Sequence, residues 1–242
     1  YILSLSFFSF RVLAMEISNR LKMIANQIES SRCLADIGTD HGYLPVYLLR
    51  TGRIKKAVAC DINKDPLAKA AENIEKAGLS GSVSLRLCDG LSGLSVNEAD
   101  TVVISGMGGL LIIDILRSSA DVVSSVNRLV LQPQLHIDKV RRYLHKTGFL
   151  IENEDMVFED GKYYTVINAV PGFERYTETE YFLGKRLIKT KNPVLKKYIE
   201  FKIGKNEAII ERLKLASSQI KNKRMSEIEH ENKMLKEVIS CL

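Results

Sequence analysis

Short apolar runs alternate with segments of helical periodicity along the first two thirds of this 242-residue chain. Each run is nearly continuous in apolar and β-branched residues, which is typical of strands buried on both faces of a parallel sheet. The intervening segments carry apolar residues three and four positions apart, as amphipathic helices do. Because strands and helices alternate, the pattern predicts a doubly wound α/β fold. The five runs are CLADIG, KAVACDI, VSLRLCDG, DTVVISG and RLVLQP.

The pattern changes twice towards the C-terminus. The segment FLIENEDMVFEDGKYYTVINAV predicts two antiparallel strands joined by EDGK, since Asp-Gly favours a tight hairpin turn. From Thr177 onward the strand signals stop and the periodicity is helical. We expect two long helices there to pack as an antiparallel pair. The facing residues would be Leu195, Ile199, Ile209, Leu213 and Ile220 on one helix, and Ile228, Leu235 and Val238 on the other.

Residues 1–14 are set apart from the rest of the chain. Their apolar run is shorter than the roughly 20 residues that a membrane span needs, and Met15 precedes the first amphipathic segment. We therefore expect 1–14 to be an upstream extension, followed by an α/β domain over 15–172 and a helical domain over 173–242.

The cysteine pattern bears on compartment and cofactor. Four cysteines are present, and none of them forms the CxxC spacing typical of a zinc or redox site. Three lie within apolar runs, as small buried residues do. We expect a reducing, cytoplasmic setting, with no metal ion and no membrane.

The net charge of +6 is concentrated in the C-terminal region. From Phe173 to the end there are 16 Lys or Arg and 10 Asp or Glu, which leaves 19 of each in residues 1–172. A neutral body with a basic tail indicates a polyanionic partner. The alternative is a solvated helical surface without a binding role.

Acidic residues follow the predicted strands at the points where a ligand would bind. Asp36 ends the first run and precedes GTDHG, Asp61 ends the second, and Asp89 follows the third. Ligands of parallel sheets bind at the carboxyl ends of the strands. A pyrophosphate prefers backbone N–H groups without nearby carboxylates, so Asp36 and Asp40 argue against a dinucleotide. S-adenosylmethionine, which carries an ammonium and a sulfonium, is the ligand that such carboxylates favour.

Spacing suggests individual roles within this site. Asp61 lies 25 residues after Asp36, close to the ~20 expected for a carboxylate that accepts the ribose hydroxyls. Asp89 is placed for the adenine amino group. Strand-end aspartates also cap helices, although three at successive strand ends make that reading weaker. The glycine run SGMGGL either admits a flat molecule or lets a helix pack tightly, and both alternatives stay open.

These motifs together resemble the bacterial TrmK family, methyltransferases that use S-adenosylmethionine to methylate N1 of the adenine at position 22 of tRNA. The resemblance runs from Met15 to the C-terminus, and the combination of DIGTDHGYLP with GMGG is highly specific. It implies a Rossmann-like class I methyltransferase domain followed by a C-terminal α-helical coiled-coil domain. The other matching segments are ISNRLKMIANQI, VSLRLCDGL, RLVLQPQ and EDGKYYTV.

The resemblance also implies roles for residues that match the family motifs. The cofactor loop contains Asp36, Gly38 and Asp40, the ribose is held at Asp61, and the adenine lies at Asp89 and Gly90. Asp40, beside His41, is implied at the reacting centre. The chain departs from the common family pattern at Gln134, where Asn is usual, and at Gly42, where Ala is usual. Residues implied beside the target base are Gly106, Met107, Gly108, Gly109, Gln132 and Pro133.

A tRNA partner follows from the resemblance and from the basic tail. We expect Lys185, Arg186 and Lys189 to contact tRNA phosphates, and we favour a monomer. Two rival functions remain: methyl transfer to another RNA, a protein or a small molecule, and a non-catalytic tRNA- or nucleotide-binding module. The second would have no use for the acidic strand ends.

Overall fold

The computed structural model describes residues 16–215 and 220–242, and side chains 220 and 221 are not described. It contains a seven-stranded sheet in the order β3-β2-β1-β4-β5-β7-β6. The first five strands are parallel, and β7 pairs antiparallel with β5 and β6. The predicted α/β fold is thus confirmed, while the expectation for residues 1–14 lies outside the described part. The strands are β1 (Ser31–Ile37), β2 (Ile54–Asp61), β3 (Val83–Leu87), β4 (Thr101–Met107), β5 (Arg128–Pro133), β6 (Phe149–Glu159) and β7 (Lys162–Pro171).

Helices cover both faces of the sheet. On one face, α1 and α2 pack against alternate residues of the central strands, including Leu34, Val103 and Val130. On the other, α4, α5 and α6 cover Ala35 and Ile104. The helices are α1 (Asn19–Ala25), α2 (Tyr43–Arg50), α3 (Lys64–Lys76), α4 (Gly109–Ser118), α5 (Ala120–Ser124), α6 (Ile137–Lys146), α7 (Glu178–Leu183), α8 (Lys185–Lys189), α9 (Pro193–Leu215) and α10 (Ile220–Ile239).

The expectation that all five parallel strands are buried on both faces is wrong for β3. This strand lies at the edge of the sheet, and Leu87 is 52% exposed. The helices that pack on the sheet cover an edge strand less completely than a central strand, so no residue of β3 is fully buried although its sequence run is apolar.

The predicted hairpin of β6 and β7 positions the first helix. Its turn is formed by Asp160 and Gly161, both with positive φ, as a two-residue type I′ turn requires. The neighbouring carboxylate of Glu159 accepts hydrogen bonds from the backbone N–H groups of Asn19, at 2.7 Å, and Arg20, at 3.2 Å. A carboxylate at a helix N-terminus satisfies free N–H groups and complements the helix dipole. The hairpin thus holds the start of α1 at the carboxyl edge of the sheet.

The C-terminal helices pack on β6. Leu195 and Ile199, at the start of α9, lie in one apolar cluster with Leu235 and Val238, near the end of α10. This arrangement confirms the predicted antiparallel pair. Ile209 is a wrong assignment, because it is 38% exposed while Asn206 is buried and contacts Asn232. Of the other expected residues, Ile228 is buried, Leu213 is half-buried and the side chain of Ile220 lies outside the described part.

A buried ion pair within the sheet domain contacts α7, at the start of the C-terminal helices. Arg141 of α6 donates from Nε to Glu154 Oε1 of β6 at 2.6 Å, and both side chains are at most 2% exposed. Arg141 also donates to the backbone carbonyls of Tyr181 and Phe182 in α7. The guanidinium therefore satisfies α7 carbonyls while its charge is balanced by Glu154.

Candidate active site

A cavity of about 520 Å³ opens at the carboxyl edge of the sheet, beside the switch point between β1 and β4. This volume is within the range of small-molecule sites. The loops after β1, β2, β3 and β4 bring predicted residues together in its wall, and α1 closes one side. The predicted residues that line it are Asp36, Gly38, Asp40, His41, Asp61, Asp89, Gly90, Gly106 and Met107.

The loop after β1 is held by hydrogen bonds to its neighbours. The N–H groups of Gly38 and Thr39 both donate to the carbonyl of Cys60 on β2, at 2.8 and 3.0 Å. The Thr39 hydroxyl donates to Asp36 Oδ2 at 2.7 Å. Gly42 ends the loop with a φ of +70°, a conformation in which the alanine usual in the family would be strained. This departure from the family pattern therefore suits the local backbone.

The cavity is electrostatically acidic. Asp36 is 3% exposed, and burial raises its pKa to about 6. The Thr39 hydrogen bond opposes this shift, while the negative charges of Asp61 and Asp40 add to it. A cation bound here would relieve the cost of the buried charge.

The other acidic residues occupy more open positions. Asp61 Oδ1 accepts the N–H of Asn63 at 2.8 Å, which leaves the second carboxylate oxygen available. The Asp40 side chain is 75% exposed, and its Oδ1 lies 3.4 Å from Nε2 of His41. Asp89, which follows the edge strand β3, is exposed and also lines the cavity. These carboxylates come from the ends of three different strands, and among the described residues they do not converge into a group that could hold a metal ion.

The glycine run after β4 divides between the two alternatives left open by the sequence. Gly106 lines the cavity, which suits approach by a ligand. A Cβ on Gly109 would lie 2.4 Å from the carbonyl oxygen of Leu135, so Gly109 is needed for the close packing of α4. Gly108 is the residue before α4 and is not part of the cavity wall.

The segment at the end of β5 lies partly beneath the cavity. Gln132 is fully buried, and its Oε1 accepts the N–H of Gly106 at 3.2 Å. Pro133 is also buried, whereas Gln134 lines the cavity. The structure therefore places Gln132 and Pro133 as support for the wall, and Gln134 in the wall itself.

Arg20 is a site residue to which sequence reasoning assigned no role. It reaches the cavity from α1, where Nη1 donates to Gln132 Oε1 at 3.3 Å and the guanidinium lies 5.7 Å from the centre of the Tyr164 ring. It is the only lysine or arginine among the described residues of the cavity wall. Its segment, ISNRLKMIANQI, carried family resemblance, but the position of Arg20 depends on tertiary contacts of α1, among them the hydrogen bond of its backbone N–H to Glu159 in the hairpin.

The lysine and arginine residues expected to bind tRNA lie elsewhere. Lys185 Nζ and Arg186 Nη2 both pair with Glu174, at 2.9 and 2.8 Å. Arg186 Nε also donates to the carbonyl of Ile151, near the start of β6 and so at the edge opposite the cavity. Lys189 is exposed. Lys185 thus ties α8 to the segment after β7, and Arg186 ties it to that segment and to β6.

Among the described residues, no group of three or more His, Cys, Asp or Glu side chains is arranged to hold a metal ion. No helix in that part of the chain is long and apolar enough to cross a membrane.

Comparison with known proteins assigns the chain to a family. A family model described as a methyltransferase domain matches residues 17–167. The tRNA (adenine(22)-N(1))-methyltransferase of Bacillus subtilis is 34% identical over 232 residues, which cover 93% of this chain and 98% of that protein. The chain belongs to the TrmK family. The resemblance drawn from the motifs, and the methyltransferase class that it implied, are confirmed.

Solved structures of TrmK proteins share the fold along nearly the whole chain. The B. subtilis M1A22 tRNA methyltransferase TrmK has a TM-score of 0.83 and 33% identity, with coverage of 93% of this chain and 99% of that one. M. capricolum TrmK, in complex with the cofactor product S-adenosyl-homocysteine, has a TM-score of 0.81 and 29% identity, with coverage of 93% and 98%. Both comparisons include the helical C-terminal region of this TrmK-family chain.

Proposed function

We propose that this chain transfers a methyl group from S-adenosylmethionine to N1 of adenine 22 in tRNA. The observation that carries the proposal is the acidic cavity at the switch point, with Arg20 on its wall. Support for the substrate comes from the B. subtilis relative, which is named for this reaction. In this proposal the enzyme acts in the cytoplasm as a monomer, and the reaction needs neither a metal ion nor a membrane.

The charges of the cavity fit S-adenosylmethionine. That molecule has two positive centres and one carboxylate, and the wall combines aspartates with a single guanidinium. In our assignment the negative charge of Asp36 attracts the ammonium group, and Asp61 accepts hydrogen bonds from the ribose hydroxyls. Asp89 and Gly90 contact the adenine, and Arg20 binds the carboxylate. Bound S-adenosylmethionine supplies the methyl group.

The protein's main catalytic task in this proposal is alignment. N1 of neutral adenine already carries a lone pair, so no strong base is needed. Holding reacting atoms in a near-attack arrangement can supply about 7–11 kcal/mol of the barrier. The target adenine must first leave its stack, at a cost of a few kcal/mol. Gly106, Met107 and Gln134 form the wall that would receive it.

Asp40 is suited to the later part of the reaction. Methylation at N1 makes the adenine ring cationic, and the exposed Asp40 carboxylate would stabilise that charge or accept a proton from the exocyclic amine. His41, 3.4 Å from Asp40, would orient the carboxylate. A nearby carboxylate favours the cationic product by direct electrostatic attraction.

A methylation assay on defined tRNA tests the function. The purified protein is incubated with unmodified tRNA transcript and labelled S-adenosylmethionine, and the modified nucleotide is mapped. We expect label at N1 of adenine 22 and none in a transcript that carries guanine there. Labelling at another position, or equal labelling of both transcripts, would contradict the proposed substrate. Release of label to a small molecule alone would support a different methyltransferase.

A further inference from the structure

The outward face of α9 combines an exposed aromatic ring with basic side chains. At 3.6 residues per turn, Lys197, Phe201, Lys205 and Arg212 fall within an arc of about 80°. All four are exposed. The three glutamates of α9, at positions 200, 207 and 211, fall outside this arc. We call these four residues the α9 stripe.

The basic residues of the α9 stripe differ in their partners from other basic residues of the helical pair. Lys202 pairs with Glu231, and Lys236 pairs with Glu207, so those charges are balanced between α9 and α10. Among the residues whose side chains are described, Lys197, Lys205 and Arg212 form no ion pair. Lys205 Nζ instead lies 4.9 Å from the centre of the Phe201 ring. An exposed cation–π contact of this kind is weak, so a ligand can displace it at little cost.

Aromatic contacts place the α9 stripe at the same sheet edge as the cavity. The Phe201 ring lies 5.6 Å from that of Tyr163, which lies 4.7 Å from that of Phe158. Both Phe158 and Tyr163 are next to the hairpin turn, whose Glu159 anchors the helix that carries Arg20. Phe158 and Phe201 are 52% and 46% exposed.

The helix continues past this aromatic contact. Near its start, Asn192 is hydrogen-bonded to Asp155 of β6, and Phe201 reaches the hairpin end of the same strand. α9 therefore runs towards the carboxyl edge of the sheet. The 14 described residues after Phe201 extend roughly 20 Å further at 1.5 Å per residue.

We propose that the α9 stripe binds tRNA beside the active site, with an unstacked base or ribose on Phe201 and phosphates on Lys197, Lys205 and Arg212. This inference rests on the proposed function, because it takes tRNA as the polyanion. Basic side chains contact the phosphates without reading sequence, and an aromatic ring accepts any base through its π face. The combination fits RNA better than a protein partner, since the exposed rings are interleaved with unpaired cations.

Matched variants of the full-length protein test the charged part of the stripe. One variant combines Lys197→Gln, Lys205→Gln and Arg212→Gln. Its control removes three exposed charges at the opposite sheet edge through Lys55→Gln, Lys56→Gln and Lys146→Gln. Binding to unmodified tRNA is measured at several salt concentrations. We expect the stripe variant to lower the slope of log affinity against log salt by about 2–3, and the control to change it much less.

The role of Phe201 is tested separately from that of the charged residues. The chain contains no tryptophan, so a single introduced tryptophan can serve as a fluorescence probe. Phe201→Ala should weaken tRNA binding by roughly 5- to 150-fold, the range that corresponds to stacking of one base. Phe173→Ala is the control, since Phe173 is 88% exposed just after β7 ends at the opposite edge. In Phe201→Trp, binding should be retained and tRNA should quench the fluorescence of the sole indole. The equivalent Phe173→Trp variant should show no quenching.

The outcomes separate this inference from the proposed function. S-adenosylhomocysteine affinity and melting temperature should match the parent in every stripe variant, which shows an intact fold and cofactor site. If the parent binds and methylates tRNA while stripe and control variants behave alike, the stripe assignment is wrong. If the parent neither binds nor methylates tRNA, the proposed function fails as well.

Discussion

The guanidinium of Arg20 and the side-chain amide of Gln132 meet at 3.3 Å and join the first helix to the fifth strand. The same Gln132 oxygen accepts the N–H of Gly106. The fully buried side chain of Gln132 thus sets the positions of the Arg20 guanidinium and of the glycine loop beside it. The network also explains why Gln132 is at the site without lining it.

Replacing Arg20 should affect recognition of the cofactor carboxylate. We expect Arg20→Gln to weaken S-adenosylhomocysteine binding by about 1.5–3 kcal/mol, the range for a hydrogen bond to a charged group. Decarboxylated S-adenosylmethionine, which lacks that carboxylate, should bind parent and variant alike. Calorimetry with both ligands measures the difference, and Lys22→Gln, on the exposed side of α1, is the control. Equal losses for both ligands would indicate that Arg20 acts only through the wall structure.

Asp61 should contribute to cofactor affinity through the ribose. Asp61→Ala is expected to weaken S-adenosylhomocysteine binding by about 1.5–3 kcal/mol, because two hydroxyl donors lose a charged acceptor. The affinity of Asp61→Asn should lie between those of the parent and Asp61→Ala, since asparagine retains an oxygen that can accept the Asn63 N–H. Asp65→Ala, which changes an exposed carboxylate of α3, controls for net charge. Unchanged affinity in Asp61→Ala would remove this residue from the site.

Asp40 should influence turnover more than binding. Asp40→Asn keeps the shape of the side chain and removes its charge, so kcat is expected to fall about 10- to 100-fold, at or below the low end of the range for one positioned acid or base. S-adenosylhomocysteine affinity should change much less. Single-turnover methylation with saturating tRNA and cofactor separates these effects. Normal turnover would exclude a role at the reacting centre.

The buried carboxyl of Asp36 should make cofactor binding depend on pH. Burial raises its pKa from 3.8 to about 6, and the ammonium group of the ligand prefers the ionised carboxylate. Affinity for S-adenosylhomocysteine should therefore fall as pH decreases below about 6, and Asp36→Asn should lose this dependence. Calorimetry between pH 5 and 8, a window chosen around that pKa, measures the effect. A parallel pH profile for parent and variant would assign the titration to another group.

The same shift predicts a change in the stability of the ligand-free protein. A raised carboxyl pKa means that the folded state binds more protons than the unfolded state between pH 3.8 and about 6. The contribution of Asp36 to stability is therefore greatest below that window and is lost as pH rises through it. The difference in unfolding free energy between parent and Asp36→Asn should follow this trend.

Breaking the Arg141–Glu154 pair should destabilise the junction between the sheet and the C-terminal helices. Glu154→Gln leaves a guanidinium that is 2% exposed without its counter-charge, and the expected cost is about 3–5 kcal/mol. Glu152→Gln, which affects a pair whose carboxylate is 48% exposed, should cost less than about 1 kcal/mol. Denaturant unfolding measures both. Similar values for the two variants would show that the buried pair is compensated by other contacts.

The predicted elements and the observed ones agree where the pattern reflects burial. Strands such as β1 and β4 are covered on both faces, so their apolar runs are long enough to recognise. The Asp160-Gly161 turn is recognisable because few residues adopt its backbone conformation. Exposure of Ile209 and Leu87 was not predictable, because it depends on which neighbours face each side chain.

The sequence alone determined the order of strands and helices, the family, and the acidic residues at the strand ends, because local periodicity and short motifs record these features directly. Tertiary structure decided which residues meet. It brought Arg20 to the cavity through Glu159, a contact across 139 residues, and it placed Gln132 beneath Gly106. It also engaged Lys185 and Arg186 with Glu174, while the α9 stripe kept its charges free of ion pairs within the described part of the chain. Such pairings depend on distances between elements that are remote in sequence, and no local pattern contains them.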